Sequence, residues 1–350
     1  MDKRFFDPHF VLLYDRHRLL DDQYGHIEGV SVHSIQYRKS VDPRRLSELI
    51  RLLRRLRPDL IHTVLPTANL WGLLAARWIG IRPCIGSLRG LRHSRLDRWY
   101  WVDRLALRYL ADKVVVNSDA VKDNCIRVLG VKSDKIFRIY NGFRPHVLSN
   151  VDRTTFLRSL GIPWPDRPVL SVVGRLDANK SVGDILSAVR ILHQSGMPVT
   201  LLVAGQGIQS QQLKNQVRRD GLEGLVFFLG FVSQIPLLLQ STDILITASQ
   251  SEGFCNVIFE AMSLGIPVAT TDIPTFRELI RPGQTGFVFR PRNPQSMADV
   301  LREMLSNPSR RRQVAQQAKK EVESRFSLAT MVNAYQEWYQ QLLANLPRKD

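Results

Sequence analysis

The chain is poor in cysteine: Cys84, Cys125 and Cys255 are the only three in 350 residues, and they lie far apart. They form no C-x-x-C pair and no zinc-ligand spacing, which excludes a disulfide framework and a zinc module and fits a reduced, cytoplasmic compartment. No apolar run approaches the roughly 20 residues needed to cross a bilayer. The opening MDKRFFDPHFVLLYDRHRLL has only a few apolar residues before Asp15, too short for a secretory signal. Acidic residues are also scarce, with 32 Asp+Glu against 49 Lys+Arg and a formal net charge of +17. The deficit is uneven: residues 1 to 150 hold 27 Lys+Arg and 15 Asp+Glu, a net +12. A basic half of this kind faces a phospholipid surface, a phosphorylated substrate or nucleic acid, or is a solvated surface. No helix-turn-helix, zinc or RNP signature accompanies the charge, so nucleic acid is not an expected partner.

What is present is a repeated strand–loop–helix pattern. In VDPRRLSELIRLLRRLRPDLIHTVL, Leu46, Leu49, Ile50, Leu53 and Leu56 recur at helical spacing. The helix ends near Arg57 and a buried strand follows at Leu60 to Val64. Its apolar and basic faces would suit either a sheet or an anionic membrane. WGLLAARWIG predicts a short helix stopped by Gly80, and KVVVNSDAV a buried strand with Ser118 or Asp119 as the next N-cap. KIFRIYNGF predicts a strand ending in an Asn141-Gly142 turn. The proline-rich stretch from Pro145 to Pro168 reads as a connection between domains with one short helix. Beyond it, strands are predicted at 168–174, 199–205, 225–230, 243–249 and 267–271. Strands alternating with helices predict two α/β domains with parallel, doubly wound sheets, and ligands at the carboxyl ends of strands.

The residues suited to chemistry sit at those ends. Gly174, Arg175 and Lys180 follow the first strand of the second half, Gly205 and Gly207 the second, and Gly230, Phe231 and Val232 the third. The fourth runs into SEGFCNVIFEAMSLGIPV, with Glu252 beside Gly253 and Glu260 about one turn into a helix that begins near Cys255 or Asn256. Uncapped N–H groups at such a start attract an anion, with Ser251 or Asn256 as possible caps. Two carboxylates near a bound diphosphate make sense as acceptors for hydroxyls on either side of it. Arg175 and Lys180 would supply the compensating charge. Each of these residues singly is also explained as a solvated side chain or a favourable dipole partner. A cysteine at a helix start can have a lowered pKa, or be a small apolar residue.

GRLDANK, VAGQG, LGFV and, above all, the E-x7-E stretch SEGFCNVIFEAMSLGIPV resemble the retaining glycosyltransferases of family 4, which have the GT-B fold. IYNGF, TDIPTFRELI and PGQTGFVF match flanking segments, so the likeness covers most of the chain. It implies two Rossmann-like domains facing a cleft, here residues 1–147 on the acceptor side and 148–328 on the donor side. Residues 329–350 would form a terminal helix folding back toward the first domain. It implies a UDP- or GDP-linked sugar as donor and a glycan or lipid-linked acceptor, in polysaccharide or glycolipid synthesis. By the same likeness Glu252 meets the donor sugar, Glu260 the ribose, and Arg175 and Lys180 the diphosphate. Gly253, Phe254, Cys255 and Asn256 would offer backbone N–H groups, and Gly230, Phe231 and Val232 would lie by the base, with Gly174 and Gly205 also on the donor side. Transfer would retain anomeric configuration through an oxocarbenium-like state, with the leaving diphosphate accepting the acceptor proton. No Asp-x-Asp occurs, which fits a family that uses no bound metal, and no cofactor is expected.

The chain also departs from that family. Members begin with a strand, a glycine-rich loop and a helix, a unit of about 30 residues, whereas this sequence opens on what resembles the second strand. An incomplete first domain with impaired activity is the expectation. Pro274-Thr275-Phe276 stands where the family has glycines, and Phe276 would narrow the acceptor side. In GSLRGLRHSRLDRWYWVDR, Arg89, Arg92, His93, Arg95 and Arg98 would bind a phosphorylated or lipid-linked acceptor, or form a basic surface with Trp99, Tyr100 and Trp101 partly packed. His62 would face the cleft or be a satisfied core residue. Peripheral attachment to the inner face of the plasma membrane follows from the basic first half. The alternatives are a nucleotide-sugar-binding protein without turnover, and a nucleotide-sugar isomerase or hydrolase of the same fold.

Overall fold

The structure is a computed structural model that describes residues 2, 4–13, 29–35, 42–92, 98–144, 151–162 and 167–345. The chain forms two compact units, one of Met1–Tyr140 with Ala329–Asp350, the other of Asn141–Leu328.

The first unit contains β1 (His9–Leu12), β2 (Ser31–Ser34), β3 (Ile61–Val64), β4 (Cys84–Leu88), β5 (Lys113–Val116) and β6 (Ile136–Arg138). All pairings are parallel, but they form two ladders, β1-β2 and β3-β4-β5-β6. The unit is the parallel, Rossmann-like α/β domain expected from the sequence, its described strands paired in two ladders. The two ladders share a core without sharing hydrogen bonds. Leu49 and Leu53 from helix Arg44–Leu56, Trp71 and Ala75 from helix Pro66–Trp78, and Ile35 pack with Val11 and Ile61. The apolar face of helix Arg44–Leu56 is thus turned to protein. Helix Pro66–Trp78 begins five residues before the predicted WGLLAARWIG, because Pro66 occupies its first turn, where no N–H partner is needed.

Side chains alternate across the four-stranded sheet. Cys84, Leu88, Val114 and Val116 meet Leu107 and Val121 on one face. Ile85, Val115 and Ile139 meet Tyr335, Trp338 and Tyr339 on the other. Those three aromatics come from the last helix, Leu328–Ala344. Phe137 stacks on Trp338 at 4.9 Å and 9°.

The second unit contains β7 (Val169–Val173), β8 (Thr200–Ala204), β9 (Val226–Gly230), β10 (Ile244–Thr247), β11 (Val268–Thr271) and β12 (Phe287–Phe289). They make one parallel sheet in the order β12-β11-β10-β7-β8-β9. The winding reverses between β7 and β10, which lie side by side with Ile244 opposite Leu170. That reversal opens a crevice at the carboxyl ends of the two strands. Leu170, Val172, Leu201 and Val203 point into one core layer with helix Val182–Gln194. Val169, Leu202 and Ala204 point into the other with Phe156, Leu157 and Ile162. Helix Arg153–Ser159, predicted as part of a connection, therefore packs on the sheet. Asp152 caps it, and Arg153 pairs with Asp243 at 2.8 Å. The rest of that predicted connection, at 145–150 and 163–166, lies outside the described residues.

The Asn141-Gly142 turn does not form. Phe143 bridges Ser327, with its N–H donating to the Phe326 carbonyl at 2.7 Å and its carbonyl accepting from Leu328 N–H at 2.8 Å. Distant backbone partners take the groups that a local turn would have used. No helix among the described residues is long and apolar enough to cross a membrane.

His62 on β3 ties the last helix to its sheet. Its Nδ1 lies 2.5 Å from the Tyr339 hydroxyl and its Nε2 2.6 Å from Ser87 Oγ. A neutral ring, one nitrogen donating and one accepting, satisfies both. Burial, reinforced by the nearby Arg89 guanidinium, pushes the imidazole from its usual 6.5 down to about 3. The unfolded chain protonates this ring first, so its stabilising contribution is complete above about 6.5 and is lost as the pH falls toward about 3. The thermal midpoint is expected to fall across that window. His62→Gln should be on the order of 1–3 kcal/mol less stable at neutral pH, yet change less with acid. Parallel melting curves for the two proteins would show that the ring is not held neutral.

Candidate functional site

The site is built first from backbone. Gly174 N–H donates to the Ala204 carbonyl at 3.0 Å, Leu176 N–H to Gln206 at 3.0 Å, and Gly205 N–H to Gly230 at 2.7 Å. The loops after β7, β8 and β9 are thereby laced together. A β-carbon on Gly205 would stand 1.8 Å from the Gly174 carbonyl oxygen, and one on Gly207 2.2 Å from that of Leu176. Gly205 also has φ 141°. The GQG sequence is what lets two strand ends approach this closely.

Lys180 crosses the winding reversal. Its aliphatic stem passes over Gly174, with Cε 3.3 Å from where a β-carbon would sit. Its Nζ donates to Glu252 Oε1 at 2.5 Å, with both side chains mostly buried. Residues predicted 72 positions apart are in direct contact, and Val172, Gly174, Thr247 and Ser249 line a small recess beside them. Arg175 extends outward, 79% exposed, and pairs with Asp177 at 3.0 Å.

Three residues that sequence reasoning missed hold this geometry. Asp177 accepts from Asn179 N–H at 3.1 Å and starts the turn Ala178–Lys180. Asn179 Nδ2 donates to the Ser251 carbonyl at 2.8 Å, while its Oδ1 accepts from Ser251 N–H at 3.1 Å and Ser251 Oγ at 3.0 Å. Thr275 Oγ1 donates to the Glu252 carbonyl at 2.5 Å. Asn179 lies inside the RLDANK segment next to Lys180, which was the available signal.

Helix Asn256–Ser263 starts just beyond Glu252, with Cys255 at the N-cap and no side-chain cap. The two predicted caps are used elsewhere: Ser251 by Asn179, and Asn256 Oδ1 by Asn141 Nδ2 at 3.2 Å. The Cys255 thiol is not lowered. Burial, with Glu252 adding to it, pushes it up to about 12, so it packs as a small apolar group. Phe254 stacks on Phe259 at 4.6 Å and 5°. Gly253 is buried, and Glu260 is partly buried one turn into the helix. Gly230 has φ 67°, Phe231 is 80% exposed beyond it, and Val232 packs against the Phe156 layer. Phe276 is buried within the second unit. Among the described residues no group of three or more His, Cys, Asp or Glu is placed to hold a metal ion.

The first unit's candidates have internal partners. Arg89 Nη2 donates to the Tyr335 hydroxyl at 2.6 Å. Arg92 pairs at 2.7 Å with Asp103, which is fully buried. His62 is held by Tyr339 and Ser87. His93 and Arg95 lie outside the described residues.

Comparison with known proteins fits this geometry. Residues 153–321 match the model for glycosyl transferases group 1, and residues 1–146 that for glycosyltransferase family 4. The chain is 30% identical to the uncharacterized glycosyltransferase MJ1607 of Methanocaldococcus jannaschii over 70% of its own length and 66% of that protein's. It is 25% identical to the capsular polysaccharide biosynthesis glycosyltransferase CapM of Staphylococcus aureus, over 82% of this chain and 77% of CapM. Anabaena Alr3699/HepE in complex with UDP-glucose superposes with a TM-score of 0.82 at 25% identity, covering 95% of this chain and 92% of that one.

Asn179→Ala leaves the Ser251 backbone groups without their partner. It should cost roughly 1–3 kcal/mol in urea unfolding, whereas Arg175→Ala, at an exposed side chain, should stay within about 0.5 kcal/mol. Equal losses would mean that Asn179 does not hold the loop.

Proposed function

Since this chain is a glycosyltransferase that belongs to family 4 and has the GT-B fold, we propose that it moves a sugar from a nucleotide-diphosphate donor to a glycan or lipid-linked acceptor, with retention. The observation that carries the reading is the Lys180–Glu252 contact at the winding reversal of the second unit. A cation and a carboxylate held together there suit a ligand that is a diphosphate at one end and a polyol at the other. Lys180 and Arg175 take the diphosphate, and Glu252 accepts hydroxyls of the sugar. The first-turn N–H groups at Cys255 and Asn256 face the distal phosphate, and Glu260 accepts from the ribose. Gly174, Gly205 and Gly253 permit close backbone approach, and Phe231 with Gly230 and Val232 flanks the base.

In the reaction the bond from the anomeric carbon to the diphosphate breaks as charge builds on the leaving oxygen. Lys180 and Arg175 stabilise that charge in place. The acceptor oxygen bonds on the same face, and its proton passes to the departing diphosphate. No protein base and no metal is required. The donors named for relatives support a UDP-linked hexose or GDP-mannose as first substrates to try. CapM and the basic first half support polysaccharide or glycolipid synthesis at the inner face of the plasma membrane.

Calorimetry with UDP and GDP, beside transfer of labelled sugar from UDP-glucose and GDP-mannose to a membrane lipid extract, tests this. Glu252→Gln and Lys180→Ala should lower turnover by about 10²–10³-fold. Glu260→Gln should chiefly weaken nucleotide binding, by about tenfold or more. Binding without turnover would favour the non-catalytic reading, and equal losses of both parameters in the two Glu variants would undo their division of labour.

A further inference from the structure

Helix Arg98–Leu105 continues into a π-helical turn, Ala106–Leu110, closed by Ala111 N–H donating to the Ala106 carbonyl at 2.9 Å. Trp101, Leu105 and Tyr109, spaced four apart along it, are 56, 48 and 60% exposed. In a regular α-helix each step of four overshoots a full turn by about 40°. The wider π turn takes up that drift between Leu105 and Tyr109, so the three side chains stay in one line. Tyr100, Asp103, Ala106 and Leu107 on the other side are buried. The C-terminus of helix Pro66–Trp78 is fixed beside the same segment by Arg77 Nε donating to the Leu110 carbonyl at 2.7 Å, and Trp78 there is 73% exposed.

Cations border the line, and among the described residues the carboxylate at the end of the segment, Asp112, is paired with Arg77 at 2.7 Å. The Arg108 guanidinium lies 5.2 Å over the Tyr109 ring. Lys135 Nζ is anchored on the Arg108 and Ala111 carbonyls at 3.2 and 3.0 Å. The one acidic residue between 98 and 111 is Asp103, fully buried and paired with Arg92.

We propose that this face docks on an anionic phospholipid surface, with Trp101, Leu105, Tyr109 and Trp78 seated at headgroup level and Arg108 and Lys135 meeting lipid phosphates. Amphipathic aromatic rings favour that depth. Anionic lipid attracts the unit's basic surplus, and nearby cations add to the binding of a short apolar face. The sequence pointed to helix Arg44–Leu56 for such a role, but Leu49 and Leu53 there are buried in the core. The proposal is independent of donor and acceptor identity, and its test uses neither.

The full chain is sedimented with vesicles of phosphatidylcholine alone and of phosphatidylcholine mixed with phosphatidylglycerol. It should pellet only with the anionic vesicles, and less so at high salt. Trp101→Ser/Tyr109→Ser and, separately, Leu105→Glu should weaken partition by about tenfold or more. The single Leu105 variant at an exposed position guards against loss of fold in the double one, and thermal midpoints are read in parallel. Undiminished pelleting of a folded Leu105→Glu variant, or no anion-dependent pelleting of the parent, overturns the proposal. So does a dimer in ultracentrifugation that Leu105→Glu abolishes while the parent ignores vesicles, an outcome that assigns the face to a second copy.

Discussion

A carbonyl oxygen stands where a side chain would begin: Gly174 O lies within 1.8 Å of the position of a β-carbon on residue 205. This approach constrains the rest of the site. It brings the loop after β7 against the loop after β8, and it leaves room for the Lys180 stem to lie over Gly174. Lys180 then reaches Glu252 on the far side of the winding reversal. The strands on either side are held by alternating apolar layers, so the loops inherit their positions from a rigid sheet. Polar residues then fix the detail, Asn179 by binding both backbone groups of Ser251 and Thr275 by binding the Glu252 carbonyl.

Much of the second unit was legible because buried parallel strands are short apolar runs rich in β-branched residues and bounded by glycine. VLSVVG, TLLVAG and DILITAS announce β7, β8 and β10. The three residues of β12 carry too little pattern to stand out, although Phe287 and Phe289 are buried. Strand ends also announced Arg175, Lys180, Glu252 and Glu260 as one set. Their contacts were not legible, since the Lys180–Glu252 pair depends on strand order, and strand order is a long-range property.

The misreadings share that cause. Asn141-Gly142 has turn chemistry, but its neighbour Phe143 finds backbone partners at Phe326 and Leu328. Ser251 and Asn256 have capping chemistry, but Asn179 and Asn141 engage them first. Arg89, Arg92 and His62 left two readings open, ligand contact or a packed residue, and the partners that Tyr335, Asp103 and Tyr339 give them within one unit are again distant in sequence. A local propensity decides only where no distant group competes for the same hydrogen bond.

The last helix belongs to the first unit, and this bears on the order of events during synthesis. The second unit is one continuous span, Asn141–Leu328, so it can fold as soon as it has left the ribosome. The first unit is interrupted by it. Ile85, Val115 and Ile139 have emerged long before Tyr335, Trp338 and Tyr339 exist to cover them. For the whole time that the intervening residues are being made, one face of the β3–β6 sheet presents bare apolar side chains to the cell. That interval, set by connectivity, is when the nascent protein is most open to aggregation and to chaperones.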